Sequence, residues 1–458
     1  MKLKWDLEER CNLKCKHCIV GTTSYPPSIS LEKAKKVIDK CHESNVDNIV
    51  LSTKEPFMYP HITELIEYCS LYHIKLAIIT NGTLIDEKKL QSLVDNYATI
   101  NYIAFSLEGV SSETNDFVRG KGVFEKVMNV VNKIDKINKT QKKTIKLILQ
   151  MNLTSKNYKE VPNMVNILNK FPFVQVAIGK LYIDGNAAFY KELDLDNQKY
   201  EKAISTLISS YIRIENPNYE LTFKDMSVFD AIYFNTVYGT SYKPNIPDCS
   251  IFYGGYSLMS DGNYCACSLL LDKGLIENEK LELGRFDDSK KIEAKKKFQI
   301  HNEYFDYKSC EVCSKCLFNK ECQMCLLIGL SKENRTYQIE KCHFYMNRLK
   351  RVIDEVKKDR LSFQLNPNVV IVSDRKEWIL YNGLIGIQEL WSYHTQKKDE
   401  IEMIKKLQDK RNCYFKGFVN DYGENEVVSL LEGLLFANLL FVNEGDELEY
   451  EELLSNKK

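Results

Sequence analysis

Fifteen cysteines in 458 residues, twelve of them gathered in two fields, narrow what this chain can become. Three lie between positions 11 and 18 and nine between 249 and 342; Cys41, Cys69 and Cys413 stand apart and read as small buried residues. The start, residues 1–7, holds no apolar stretch of secretory-signal length, and no segment reaches the ~18 apolar residues of a membrane span. A cytoplasmic protein is therefore expected, and there thiols stay reduced. Metal ligation or catalysis then becomes the first use for so many cysteines. Basic and acidic residues number 63 each, so no net charge draws the chain to nucleic acid or to an anionic membrane.

At this length one core is not enough, and two to four domains are expected. Over the first ~190 residues strand-like runs alternate with amphipathic stretches. The runs are Leu3–Leu7, Asn48–Leu51, Leu76–Thr80, Tyr102–Leu107, Ile145–Met151 and Val174–Ile178. Leu31–Cys41, Ile62–Leu71 and Phe124–Ile134 lie between them with helical spacing. Six strands alternating with helices predict an α/β fold with a parallel sheet, a partial (β/α)6 barrel of TIM type. Functional residues are then expected at the C-terminal ends of its strands. Residues 191–248 read as a helical bridge, and 249–362 as loop-rich, metal-stapled structure. Residues 363–458 read as a small α+β domain: strands at Val369–Val372 and Trp378–Tyr381, helices at Ile385–Tyr393, Ile401–Gln408 and Glu424–Asn438, and a last strand at Leu439–Val442. That order is winged-helix-like.

Cys11, Cys15 and Cys18 form C-x3-C-x2-C directly after the first strand. Three thiolates on one short loop can ligate three irons of a [4Fe-4S] cube and leave the fourth iron open. Zinc is the alternative, but it asks for a fourth ligand at finger-like spacing, and His17, wedged between two of the cysteines, is badly placed to supply it.

This triad, together with four short segments downstream of it, resembles the radical S-adenosylmethionine (SAM) core. Thr80-Asn81-Gly82-Thr83-Leu84 resembles that family's TNG turn. Ser106-Leu107-Glu108-Gly109 resembles its S-x-D/E segment, which faces the SAM ribose. Arg119-Gly120 resembles the RG segment whose Arg approaches the SAM carboxylate. His17 stands where the family has an aromatic residue whose backbone meets the adenine. The family commonly reads Gly-Gly-Glu-Pro after its second strand and binds the SAM ammonium there; this chain reads Thr53-Lys54-Glu55-Pro56. Glu55 is kept and both glycines are lost. The resemblance implies His17, Glu55, Asn81, Ser106, Glu108 and Arg119 as SAM contacts, and a reduced cluster that cleaves SAM to a 5′-deoxyadenosyl radical.

In the second field Cys310, Cys313, Cys316, Cys322 and Cys325 run C-x2-C-x2-C-x5-C-x2-C, with Cys342 beyond and Cys249, Cys265 and Cys267 before. Nine cysteines suffice for two four-coordinate sites, zinc or iron–sulfur, with one left over. The pattern resembles the SPASM extension of radical SAM enzymes, which holds two auxiliary clusters. That resemblance implies Cys313, Cys316, Cys322 and Cys342 on the distal cluster. Cys249, Cys267 and Cys325 fall to the proximal one, with Cys265, Cys310 or an open site as its fourth position. The cofactors implied are SAM and three [4Fe-4S] clusters.

Enzymes of this resemblance mostly modify peptides. The expected activity is a cross-link, thioether before carbon–carbon, in a ribosomally made precursor peptide gripped by its leader through the C-terminal domain. An electron donor such as flavodoxin or ferredoxin is implied as a partner. Peptide epimerisation and sulfatase maturation are alternatives; the sulfatase branch places an Asp base where this chain has Ser268. A non-enzymatic iron–sulfur or zinc-stapled redox sensor is the alternative of another class. No residue identifies itself as the general base.

Overall fold

The computed structural model describes residues 2–21, 28–141, 143–243, 256–273, 276–286, 300, 303, 311–316, 318–319, 325, 330, 332–373, 377–385, 391–410 and 412–443. The chain divides into two compact units. The first comprises residues 1–224, 247–310 and 324–335; the second comprises 225–246, 311–323 and 336–458.

The first unit is built on one ten-stranded sheet. Seven strands, β1 (Lys2–Trp5), β2 (Asn48–Leu51), β3 (Lys75–Thr80), β4 (Ile100–Ser106), β5 (Leu147–Leu153), β6 (Gln175–Lys180) and β7 (Glu220–Phe223), lie in sequence order. Each is parallel to the next. Helices α1 (Leu31–Glu43), α2 (Ile62–Leu71), α3 (Glu87–Asp95), α4 (Ser112–Arg119), α5 (Val123–Gln141), α6 (Val161–Leu168) and α7 (Asn197–Tyr211) connect them. This is the open, mostly parallel α/β architecture expected, with one strand more than six. Strand β7 lies inside the predicted helical bridge. Its four residues alternate in burial, and so short a run carries no period of its own; pairing with β6 makes it a strand.

Beyond β1 the sheet continues through β8 (Tyr256–Leu258), β9 (Asn263–Cys265) and β10 (Glu282–Arg285). Strand β8 is parallel to β1, and the β8–β9 and β9–β10 pairs are antiparallel. Residues of the second cysteine field are thereby stitched to the edge of the strand that feeds the first. Buried Ile, Leu and Val side chains fill the central strands: Ile78, Ile103, Leu149 and Ile178 are fully enclosed.

In the second unit, β11 (Ser362–Leu365) pairs antiparallel with β15 (Leu440–Asn443). Three antiparallel strands, β12 (Val369–Ser373), β13 (Trp378–Asn382) and β14 (Ser392–Thr395), form a separate sheet. Helices Lys398–Asp409, Phe415–Tyr422 and Glu424–Phe436 follow. Ser392 and Tyr393, read as helical from sequence, instead extend the sheet opposite Tyr381 and Leu380; residues 386–390 of that stretch lie outside the described residues. Among the described residues no helix is long and apolar enough to cross a membrane.

Ile103 sits mid-sheet with no exposure. Ile103→Ala is expected to destabilise the first unit by ~2–5 kcal/mol. The shift in its chemical-denaturation midpoint reads this, and a loss under ~1 kcal/mol would count against this sheet as the core.

Candidate functional site

The cysteine loop leaves β1 through a stiffened entry. Arg10 binds Glu8 through two nitrogens, each at 2.8 Å, and Ser28 donates to the same carboxylate at 2.5 Å. The loop then closes on itself and on its neighbours. Cys18 N–H donates to the Cys15 carbonyl (3.3 Å), and Lys16 N–H to the Val118 carbonyl at the end of α4 (2.9 Å). Asn186 clamps the far side, its N–H on the Cys18 carbonyl (2.8 Å) and its side-chain amide on the Cys15 carbonyl (3.0 Å). Gly185, with φ +59, lies against the Cys18 and Ile19 carbonyls; an added Cβ would meet the Ile19 oxygen at 2.3 Å. Neither Gly185 nor Asn186 was singled out from sequence, because their partners are 170 residues away. A glycine beside an asparagine in the segment after β6 was the one available signal.

Cys11 is exposed, Cys18 half-buried and Cys15 buried. Burial raises the Cys11 thiol and pushes Cys15 up to about 11, even with the Arg119 guanidinium beside it. Ligation therefore has to displace protons from these thiols. Among the described residues no three His, Cys, Asp or Glu side chains converge on a point where one metal ion would sit. Thiolates on a four-iron cube bind separate irons, so they need no common centre.

Beside Cys15 lies a buried polar group. Glu108 follows β4 and is oriented by two asparagines: its N–H donates to Asn115 Oδ1 (2.9 Å) and its carbonyl accepts from Asn157 Nδ2 (3.2 Å). Its carboxylate accepts from Arg119 Nη2 (2.8 Å) and from Asn152 N–H (2.7 Å), and faces His17 Nε2 at 3.0 Å. Arg119 ends α4, where Gly120 at φ +115 stops the helix. Burial pushes Glu108 upward, but the Arg119 guanidinium and the hydrogen bond from His17 outweigh it and hold the carboxyl below its ordinary range. Burial lowers His17 as well, against the pull of Glu108. An imidazole enclosed this fully is neutral near pH 7, so the charge on Glu108 is balanced by Arg119, while His17 donates a hydrogen bond through Nε2. That leaves His17 Nδ1 as an acceptor, and it and Arg119 Nε are buried without partners.

A second group forms around Glu55. Its carboxylate accepts from Thr80 Oγ1 (2.7 Å), Asn81 N–H (2.8 Å) and Phe57 N–H (3.0 Å). Asn81 Nδ2 reaches Asn12 (2.9 Å) and approaches the Cys11 sulfur (3.8 Å). Glu55 is thus fully buried and ties the ends of β2 and β3 together under the cysteine loop. Ser106 closes β4, half-buried and outside both groups.

In the second field, Cys265 is buried on β9 and Cys267 follows it. Cys267 and Cys325 pack on one apolar cluster around Ala266, Leu270 and Leu281, and Ile19, next to Cys18, packs on it too. Burial holds the Cys267 thiol above its ordinary value; Lys4 and the amides of Leu270 and Leu269 pull the other way. These cysteines belong to the first unit, whereas Cys313, Cys316 and Cys342 belong to the second. Cys316 N–H donates to the Cys313 carbonyl (3.1 Å) and Phe318 N–H to the Cys316 sulfur (3.4 Å), so both cysteines sit on one tight bend. Cys249, Cys310 and Cys322 lie outside the described residues.

Residues 8–166 match the family model of the radical SAM superfamily. This stretch is a radical SAM domain, an enzyme domain that works with SAM and a [4Fe-4S] cluster. The described residues fit both: three thiols on one loop, and beside them buried nitrogens with unused hydrogen-bonding capacity. The chain is 27% identical over 207 residues to an Fe-coproporphyrin III synthase of Methanosarcina barkeri, covering 44% of this chain and 50% of that one. It is 32% identical over 129 residues to the antilisterial bacteriocin subtilosin biosynthesis protein AlbA of Bacillus subtilis, covering 28% and 29%. The chain thus spans half or less of these curated relatives. Among solved structures, Streptococcus suis SuiB bound to S-adenosylmethionine shares the fold, with a TM-score of 0.54 at 15% identity over 72% of this chain and 74% of that one.

Glu108→Gln is expected to cost ~3–5 kcal/mol at pH 7, because it leaves Arg119 buried and unpaired. A carboxyl held below its ordinary value in the fold, against about 4.3 when unfolded, stabilises above the higher value and loses that contribution as the pH falls toward the lower. The gap between wild type and variant should narrow below about pH 4 in pH-dependent denaturation. Gly185→Ala should drive the loop carbonyls off Asn186, and iron retained after anaerobic reconstitution should drop by about four atoms per chain.

Proposed function

We propose that this chain is a radical SAM peptide maturase with three [4Fe-4S] clusters that installs a cross-link in a ribosomally made precursor peptide, a thioether before a carbon–carbon bond. The observation that carries the reading is the pairing, within one unit, of the Cys11–Cys15–Cys18 loop with Cys267 and Cys325 on the apolar cluster that also receives Ile19. A SAM-cleaving site set beside a second thiol pair suits chemistry that removes a hydrogen and then an electron from one substrate.

A [4Fe-4S] cluster held by Cys11, Cys15 and Cys18 would, with SAM, supply the radical chemistry that removes a substrate hydrogen. The chain's own residues do the rest. Cys11, Cys15 and Cys18 hold the cluster. Arg119 and His17, oriented by Glu108, offer Nε and Nδ1 to the polar groups of SAM. Glu55 and Asn81 keep the opposite wall closed. Cys249, Cys267 and Cys325, with Cys265 or Cys310 as a possible fourth ligand, would hold the proximal auxiliary cluster; Cys313, Cys316, Cys322 and Cys342 would hold the distal one. The likeness to AlbA supports a peptide substrate. So does β12, an edge strand that exposes Val370 and Val372, since an apolar edge is suited to pairing with an extended leader. A flavodoxin or ferredoxin would supply the electron.

The 207-residue match to the Fe-coproporphyrin III synthase favours a second reading, an enzyme that forms an iron porphyrin.

Reconstituted protein should carry about twelve irons and release 5′-deoxyadenosine under dithionite. Cys15→Ala should abolish that release. Cys313→Ala with Cys316→Ala should remove about four irons and leave SAM cleavage in place. Mass spectrometry of a coexpressed cysteine-containing precursor should show loss of two hydrogens. An unchanged mass with an inverted residue would mean epimerisation, and formation of Fe-coproporphyrin III from an iron-porphyrin precursor would favour the porphyrin reading.

A further inference from the structure

Thr53 stands where the radical SAM resemblance places the first glycine of Gly-Gly-Glu-Pro, and its backbone adopts a glycine-like conformation, φ +86. Seven described non-glycine residues have positive φ. Five are Asn or Asp, which tolerate it; Thr53 alone is β-branched, and for such a residue this region is strongly disfavoured. A strained residue persists only where its surroundings over-determine it.

Here the surroundings are explicit. Thr53 Oγ1 donates to Asp6 Oδ1 at 2.5 Å across the C-terminal ends of β2 and β1. Asp6 is 1% exposed, its N–H is fixed on the Leu258 carbonyl of β8 (2.8 Å), and its Oδ2 is buried without a partner. Lys4, on the same face of β1, stands 3.5 Å from Asp6 and donates to Ser268 Oγ at 2.6 Å. The two-residue spacing of Lys4 and Asp6 puts both on one side of the strand, opposite buried Trp5. A polar line therefore runs from Thr53 through Asp6 and Lys4 to Ser268, the residue after Cys267.

We infer that Asp6 is a positioning residue: through the Thr53 hydroxyl it holds residues 53–55 in the conformation that glycine gives freely elsewhere, so that this backbone can receive the SAM ammonium. The inference rests on the radical SAM reading. It explains how this chain dispenses with both glycines: the side chain that creates the strain also supplies the group that restrains it. Lys4 and Ser268 fix Asp6 in turn.

The test is SAM binding to the cluster-reconstituted full chain, measured by equilibrium dialysis without reductant, so that no turnover is needed. Thr53→Gly and Thr53→Val both remove the hydroxyl, but only glycine accepts positive φ. Thr53→Gly should bind within about twofold of wild type, and Thr53→Val about tenfold more weakly. Asp6→Ala should weaken binding by a similar factor, and adding Thr53→Gly to it should restore the affinity. Wild-type affinity in Thr53→Val would overturn the inference. So would equal weakness in Thr53→Gly, which would make the hydroxyl a direct ligand. If a variant loses iron, the comparison of Asp6→Ala with its Thr53→Gly double variant decides, because the rescue is unavailable to a merely structural defect. Failure of the iron-loaded wild type to bind SAM at all would remove the family reading and this inference with it.

Discussion

The contact between Arg119 and Glu108 organises the mouth of the barrel. Both groups are buried, and an isolated charge there would be far too costly to keep. Paired, they join the end of α4 to the end of β4, and through Asn152 N–H they reach β5. Arg119 also stands beside the Cys15 sulfur, and the carbonyl of neighbouring Val118 anchors Lys16 of the cysteine loop. One ion pair thus determines where the loop sits, which His17 nitrogen is left free, and how much positive charge the Cys15 thiol feels.

The sheet makes that contact possible. Parallel strands in sequence order bring every βα connection to one end, so residues from positions 11–18, 55, 81, 108 and 119 meet without any long loop reaching across. The same sheet extends past β1 into β8, β9 and β10, which carries Cys265 and Cys267 to the strand that launches the N-terminal triad. Two cysteine fields more than 200 residues apart are joined by backbone hydrogen bonds before any metal is considered. Asp6 belongs to this junction, since its amide is bonded to β8 and its carboxylate to Thr53 just past β2.

Much of this was legible in the sequence. The apolar runs located β2 and helix α2 to the residue, and β3 to β6 to within two residues at either end, because each run is long and bounded by polar turns. The triad stood out by its spacing, while Glu55, Asn81, Glu108 and Arg119 were singled out through the resemblance of their segments to the radical SAM core. Strand β7 and the strand character of Ser392 and Tyr393 were not: each is a short segment whose state is set by the neighbour it pairs with.

The sequence by itself pointed to the class of chemistry, because the thiol triad and the segments that resemble the radical SAM core are local features that survive any folding detail. It also determined the parallel α/β core, because hydrophobic period is local too. Only the tertiary structure decided that His17 and Arg119 share Glu108, that Gly185 and Asn186 brace the loop, and that Thr53 keeps a glycine's backbone with Asp6 holding it. Those facts depend on side chains brought together from distant strand ends in a water-poor space, where an unpaired polar group is costly and so each must find its partner.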